Sequence, residues 1–98
     1  MTLNEYQQKC VDALPKYLYR GDEALIGLMG LSSSAGKSIE LYKKTLYEGK
    51  ELDNKALAEL LGDAVHCVAV IAHAIDYNLA DVLKLDMEKN PDAGNEKV

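Results

Sequence analysis

The chain has 98 residues, with 16 acidic against 11 basic side chains and a formal net charge of −5. That length fits one small domain, and the acidic balance argues against general DNA or RNA binding and against adhesion to an anionic membrane. With six Tyr, no Phe and no Trp, packing falls to Leu, Ala, Ile and Val, and a helical domain of this size often gains stability by pairing with a copy of itself.

In chain order, Thr2 and Glu5 have the spacing of a capping box, which predicts a first helix over about Leu3 to Ala13. Pro15 disfavours helical geometry at Leu14, and "PKYLYRGD" reads as a connection. Asp22 is the predicted cap of a second helix reaching about Glu48, with Gly49 as its C′ residue. Leu25, Leu28, Ser32, Ala35, Ile39, Tyr42 and Leu46 recur at three- and four-residue steps and form one stripe along it. Ser34, Lys37, Leu41 and Lys44 fall off that stripe, where a solvated face is the plain expectation. Gly27, Gly30 and Gly36 each cost a helix interior up to about 1 kcal/mol relative to Ala, which points to a close approach by another backbone or a ligand, or to a kink.

This helix contains "SAGKS", a fragment that looks like the end of a phosphate-binding loop. The spacing excludes it: five residues separate Gly30 from Gly36 where the motif needs four, and no strand precedes it.

Asp53 or Asn54 caps a third helix running to about Asp76. Leu57, Leu61, Ala64, Val68, Ile71 and Ile75 give it a bundle-like seam, and from Ala64 to Ile75 it is apolar almost all round, so neighbours on more than one side are expected. Asn78 caps a fourth helix, "LADVLKLDMEKN", which Pro91 ends. The prediction is an all-α, four-helix bundle over residues 1–90 with two long central helices, followed by a polar tail over 91–98.

Cys10 and Cys67 make no metal-binding spacing, and the first twenty residues lack an apolar signal core. No run approaches transmembrane length, "AVHCVAVIAHAI" being short and carrying two His. These features predict a reduced, cytoplasmic protein without a membrane partner. His66 and His73 lack a third ligand of suitable spacing and read as satisfied or interface histidines; Cys67 reads as a small buried apolar residue rather than a nucleophile.

Three stretches together carry a family resemblance: "MTLNEYQ", "GLMGLSSSAGKSIELYKKTLYEGKEL" and "LGDAVHCVAVIAHAIDYNLADVLKLDMEKN". In order and in their connections they resemble the MazG-like nucleotide pyrophosphohydrolases over roughly residues 1 to 90. The resemblance implies an all-α fold, assembly as a homodimer or a dimer of dimers, and hydrolysis of nucleoside triphosphates to monophosphate and pyrophosphate. Members hold Mg²⁺ with Glu-Glu-x-x-Glu on one helix and Glu-x-x-Asp on the next, since residues three apart share a helix face and Mg²⁺ takes oxygen ligands.

Carried onto this chain, the first set of acidic positions falls on Ser33, Ser34 and Lys37, and the second on Leu60 and Asp63. Only Asp63 is a carboxylate. Glu59 matches the Glu that precedes the second motif, and Asp86 and Lys89 fall where the last helix of the family has Asn and Lys. The resemblance therefore implies a scaffold that has lost most of its metal cage, with no cofactor expected. A substitute is conceivable in which the Lys37 ammonium takes the metal's place and pairs with Asp63.

Three functions follow. The first is a catalytically impaired homologue that still binds a nucleotide or other phosphate-bearing small molecule, with Lys37, Lys44, Asp63, Asp86 and Lys89 as candidate contacts. The second is an active Mg²⁺-dependent pyrophosphohydrolase with a displaced site built from Glu40, Glu59 and Asp63. The third is a non-enzymatic dimeric interaction module. For each lysine and acid the plain alternative is a solvated surface charge.

Overall fold

In the computed structural model of the chain, which describes residues 1–91, four helices follow one another: α1 Leu3–Asp12, α2 Arg20–Glu48, α3 Asn54–Ala74 and α4 Leu79–Lys89. No strand occurs among the described residues. The predicted all-α architecture with two long helices is what forms. The predicted tail, apart from Pro91, lies outside the described residues.

The helix ends show which caps hold. At α1 the capping box forms both ways: Thr2 Oγ1 accepts from the Glu5 N–H at 3.1 Å and Glu5 Oε1 accepts from the Thr2 N–H at 3.3 Å. α2 begins at Arg20, two residues before the predicted cap, so Asp22 lies in the first turn and Tyr19 is an N-cap without a side-chain bond. Asp22 and Glu23 there favour the positive end of the helix dipole. Gly49 closes α2 in the left-handed conformation, φ 69°. Asp53 caps α3 by accepting from the Ala56 N–H at 3.0 Å.

α3 stops earlier than predicted. The Tyr77 N–H donates to Ala72 O at 2.8 Å and the Asp76 N–H to His73 O at 3.0 Å, with Asp76 at φ 64°. That is the pair of bonds by which a left-handed residue closes a helix, here with Asp in the place glycine usually takes. Arg20 holds the closure from outside, pairing with the Asp76 carboxylate and donating to His73 O at 2.8 Å.

α2 and α3 form the main packed pair, and α1 and α4 cover the far end of α3. Close packing of α2 on α3 uses its small residues. A Cβ added at Gly27 would fall 2.6 Å from Ile71 Cγ1 and 3.3 Å from the Cys67 carbonyl oxygen; one added at Gly30 would fall 2.6 Å from Cys67 Sγ. Two of the three costly glycines are thus explained by a neighbouring helix, while Gly36 faces open space.

This packing reverses the expected sides of α2. Ser34 is buried and Leu41 half-buried, so the side of α2 predicted to be solvated is partly the one that meets α3. The apolar stripe is left outside: Leu25, Leu28, Ile39, Tyr42 and Leu46 are all about half exposed or more. Small residues let two backbones approach, and the larger ones are turned away. On α3, likewise, Leu61 and Ile75 of the predicted seam are exposed, while Ala69, Val70 and Ala72 are buried.

The core sits where α1, α3 and α4 meet. Cys10, Ala69, Val70 and Leu79 are buried there, with Tyr6, Leu14 and Val68 packed around them. α3 does have neighbours on two sides, as its all-round apolar character required. At 21 residues it is also long and apolar enough to cross a bilayer, which corrects the sequence reading that no run reaches that length; core helices of bundles share this property.

Candidate functional site

Every residue that the resemblance places at the metal-binding positions lies between α2 and α3, in two adjoining grooves. The larger, about 700 Å³, is lined from α2 by Ser33, Gly36, Lys37, Glu40, Leu41 and Lys44, and from α3 by Ala56, Glu59, Leu60 and Asp63. The smaller shares Ser33, Lys37 and Asp63 with it and adds Gly30, Ser34, His66 and Cys67. Helical spacing explains the gathering. Residues 33, 37, 40 and 44 step by four, three and four on α2, and 56, 59 or 60, and 63 step likewise on α3. Gly36 widens the groove, because a side chain there would stand over it.

The groove has a division of chemistry. Lys37 and Lys44 come from α2, Glu59 and Asp63 from α3, and Leu41, Ala56 and Leu60 supply apolar surface between them. Glu40 is drawn off toward Lys43, 3.7 Å away on the same helix. On the same helix the Ser38 hydroxyl donates to the Ser34 backbone carbonyl at 2.8 Å.

One expectation fails here. Lys37 and Asp63 line the same groove, yet no ion pair joins them; the pairs formed among the described residues are Arg20–Asp76, Lys43–Glu40 and Lys50–Glu48. Both are exposed, and a surface pair worth about 0–1 kcal/mol does not outweigh hydration of an ammonium and a carboxylate in an open groove. The residues of the displaced magnesium alternative are brought to one place but not into a cluster. Glu40, Glu59 and Asp63 share the groove, but among the described residues no three His, Cys, Asp or Glu side chains are gathered closely enough to hold a metal ion.

Asp86 and Lys89 lie elsewhere, on the last turns of α4, and line neither groove. Asp86 is occupied in closing its own helix, its carbonyl accepting from the Asn90 N–H at 2.9 Å and its carboxylate from the Asn90 amide at 3.2 Å.

The floor of the smaller groove adjoins a thiol–phenol cluster that sequence reading missed, with Cys10 buried and Tyr6 and Cys67 half-buried. The Tyr6 hydroxyl is pushed up to about 12, first by burial, then by its hydrogen bond with the Cys10 side chain and by the negative charge available on Cys10, Cys67 and Asp63. Burial, then the charge of Asp63, also raises the Cys67 thiol. A thiol shifted upward is held toward its protonated, less nucleophilic form. Both cysteines are free. Of the histidines, His66 lines the smaller groove, and His73 lies at the other end of α3 beside α1.

The chain matches no protein-family model, no curated protein and no solved structure.

Proposed function

We propose that the protein is a MazG-like helical domain that binds a nucleotide, or another phosphate-bearing small molecule, in the α2–α3 groove without hydrolysing it efficiently. One observation carries this reading: two lysines on one helix face two carboxylates on the next across an apolar floor, in a groove whose size falls in the range of small-molecule sites. The division suits a ligand of mixed character. Phosphate oxygens accept from the Lys37 and Lys44 ammonium groups. Glu59 and Asp63, which only accept hydrogen bonds when ionised, suit ribose hydroxyls or the amino group of a base. Leu41, Ala56 and Leu60 offer a planar ring an apolar surface.

Weak catalysis follows from the side chains that replace the cage. Transfer of a phosphoryl group relies on metal ions that bridge and neutralise phosphate oxygens. Ser33 and Ser34 offer neutral oxygens, Leu60 offers none, and Lys37 repels a divalent cation. The groove keeps two lysines for phosphate, beside three carboxylates, and lacks the means to polarise it.

The test pairs thermal stability with pyrophosphate release, for the purified protein against a panel of nucleoside di- and triphosphates and inorganic pyrophosphate, with and without Mg²⁺. The expected result is stabilisation by at least one nucleotide, lost in Lys37→Ala and Lys44→Ala, with no more than trace release of pyrophosphate. No stabilisation at a ligand concentration of about 1 mM, where even a weak site would respond, overturns the binding reading. Rapid Mg²⁺-dependent turnover overturns the impaired one.

A further inference from the structure

The charge of the α2–α3 groove limits the charge of what it can hold. Lys37 and Lys44 line it together with Glu40, Glu59 and Asp63, two cations against three anions. Lys43, outside the groove, stands 3.7 Å from Glu40 and offsets it, which leaves two cations and two anions facing the opening.

These charges are not evenly spread. α2 and α3 run antiparallel, with Gly27 against Ile71 and Gly30 against Cys67. The same register, continued toward the turn that joins the two helices, brings Lys37 level with Leu60, between Glu59 and Asp63. Lys44 lies two turns farther along, about 10.5 Å, level with the start of α3. Asp53 is at that level too, but its carboxylate accepts from the Ala56 N–H of its own helix and it does not line the groove. Lys37 therefore stands among the carboxylates, and Lys44 stands apart from them.

A phosphate monoester carries about 1.5–2 negative charges at neutral pH, close to what two ammonium groups offset. Each further phosphate in a chain adds about one more. Among the described residues the groove has no third cation to receive that charge, and the anions it meets instead are Glu59 and Asp63. Nor are three acids gathered closely enough, among the described residues, to hold a metal ion as counter-charge.

We infer that the groove selects a ligand with a single phosphate group, of the class of nucleoside monophosphates, over the corresponding di- and triphosphates. The phosphate is drawn toward Lys44, and the uncharged body of the ligand lies beside Glu59 and Asp63, which set the limit on charge. This inference rests on the reading that the groove binds a phosphate-bearing molecule, and it adds which members of that class are accepted.

Calorimetric titration of the full chain tests it, in EDTA, with the mono-, di- and triphosphates of adenosine, cytidine, guanosine and uridine and with the unphosphorylated nucleosides. At an ionic strength of about 10 mM, where exposed charges are felt over about 30 Å, the best monophosphate is expected to bind at least about tenfold tighter than the triphosphate of the same base, with the diphosphate between. At about 150 mM, where that distance falls to about 8 Å, the gap is expected to narrow. Glu59→Gln with Asp63→Asn, which keeps shape and hydrogen-bond acceptors, is expected to bring mono- and triphosphate within about threefold of each other. Lys44→Ala is expected to bring the monophosphate down to the affinity of its nucleoside. A triphosphate that binds the wild type as tightly as the monophosphate overturns the selection and leaves the ligand reading standing. Absence of binding by every compound overturns the ligand reading, and the selection falls with it. A gap that neither salt nor the double variant narrows shows that chain length rather than charge decides, and overturns the role given to Glu59 and Asp63. Full phosphate preference in Lys44→Ala overturns the placement of the phosphate. The salt series uses the wild type alone, so it decides the matter even if a variant loses its helical circular dichroism.

Discussion

The two ends of α3 are built on opposite principles. At the end that meets α1 and α4, one buried amide ties three segments together: Gln7 Nε2 donates to Ala69 O at 3.1 Å and to Tyr77 O at 3.0 Å, while its Oε1 accepts from the Leu79 N–H at 3.0 Å. The side chain is 6% exposed, and both its donors and its acceptor are used. At the other end, the groove holds Lys37, Lys44, Glu59 and Asp63 within one opening and joins none of them to another. A polar group that is buried and fully bonded specifies a fold. Charged groups left in water at small energetic cost remain available to something else.

The largest test of that contrast is Gln7→Leu. The change keeps an apolar stem but leaves the first N–H of α4 unpaired in a buried place and takes the donor from the Tyr77 carbonyl, each a loss of about 1–3 kcal/mol. A total near ~3 kcal/mol is expected by chemical denaturation, with fraying of α4. A loss under ~1 kcal/mol would mean that this end is held by its apolar contacts alone.

Gln7 also marks the limit of what was legible. The four helices, the Thr2–Glu5 box, the Asp53 cap and the Gly49 stop follow from local chemistry and could be read directly. Asn78 has the cap position of α4 but makes no side-chain bond; the task passes to Gln7, 72 residues from the Leu79 N–H it serves, which no local pattern reveals. The faces of α2 were misread for a related reason. Hydropathy points large apolar residues inward, whereas glycines at 27 and 30 bring α3 close on another side and leave the stripe free. At the site, residues 33, 37, 60 and 63 were set together by the resemblance and not by any local pattern, and whether two charges across a groove pair or stay hydrated is written in neither.

Tyr6 lies between the two ends, and pH separates them. Its hydroxyl is held near 12 in the fold, mainly by burial, against an ordinary value of 10. As pH rises through 10, the unfolded chain loses this proton while the folded chain keeps it. The contribution is therefore complete below pH 10 and is lost between about 10 and 12. Tyr6→Phe should flatten that part of the alkaline stability profile relative to wild type. An identical slope in both proteins would place Tyr6 in contact with water.

Two glycines on α2 give the same substitution opposite signs. Gly27→Ala puts a methyl against Ile71 and the Cys67 carbonyl, and a net loss of about 1–2 kcal/mol is expected after the gain in helix propensity. Gly36→Ala meets nothing within 4 Å and should stabilise by about 0.5–1 kcal/mol. Melting temperatures moving in the same direction would show that α2 and α3 do not approach as described.

The smallest expected effect is at the groove itself. Lys37→Ala, Glu59→Gln and Asp63→Asn each remove a charge that has no ion-pair partner, at exposed positions. Surface changes of this kind shift stability by less than about 0.5 kcal/mol. If the three variants unfold at the wild-type denaturant midpoint, these side chains do nothing for the folded state, and the sequence has kept two cations opposite two anions over an apolar floor without structural need. A loss above ~1 kcal/mol in Lys37→Ala or Asp63→Asn would instead mean that the pair closes in solution, and the groove would then be a strut between α2 and α3 rather than a place for a ligand.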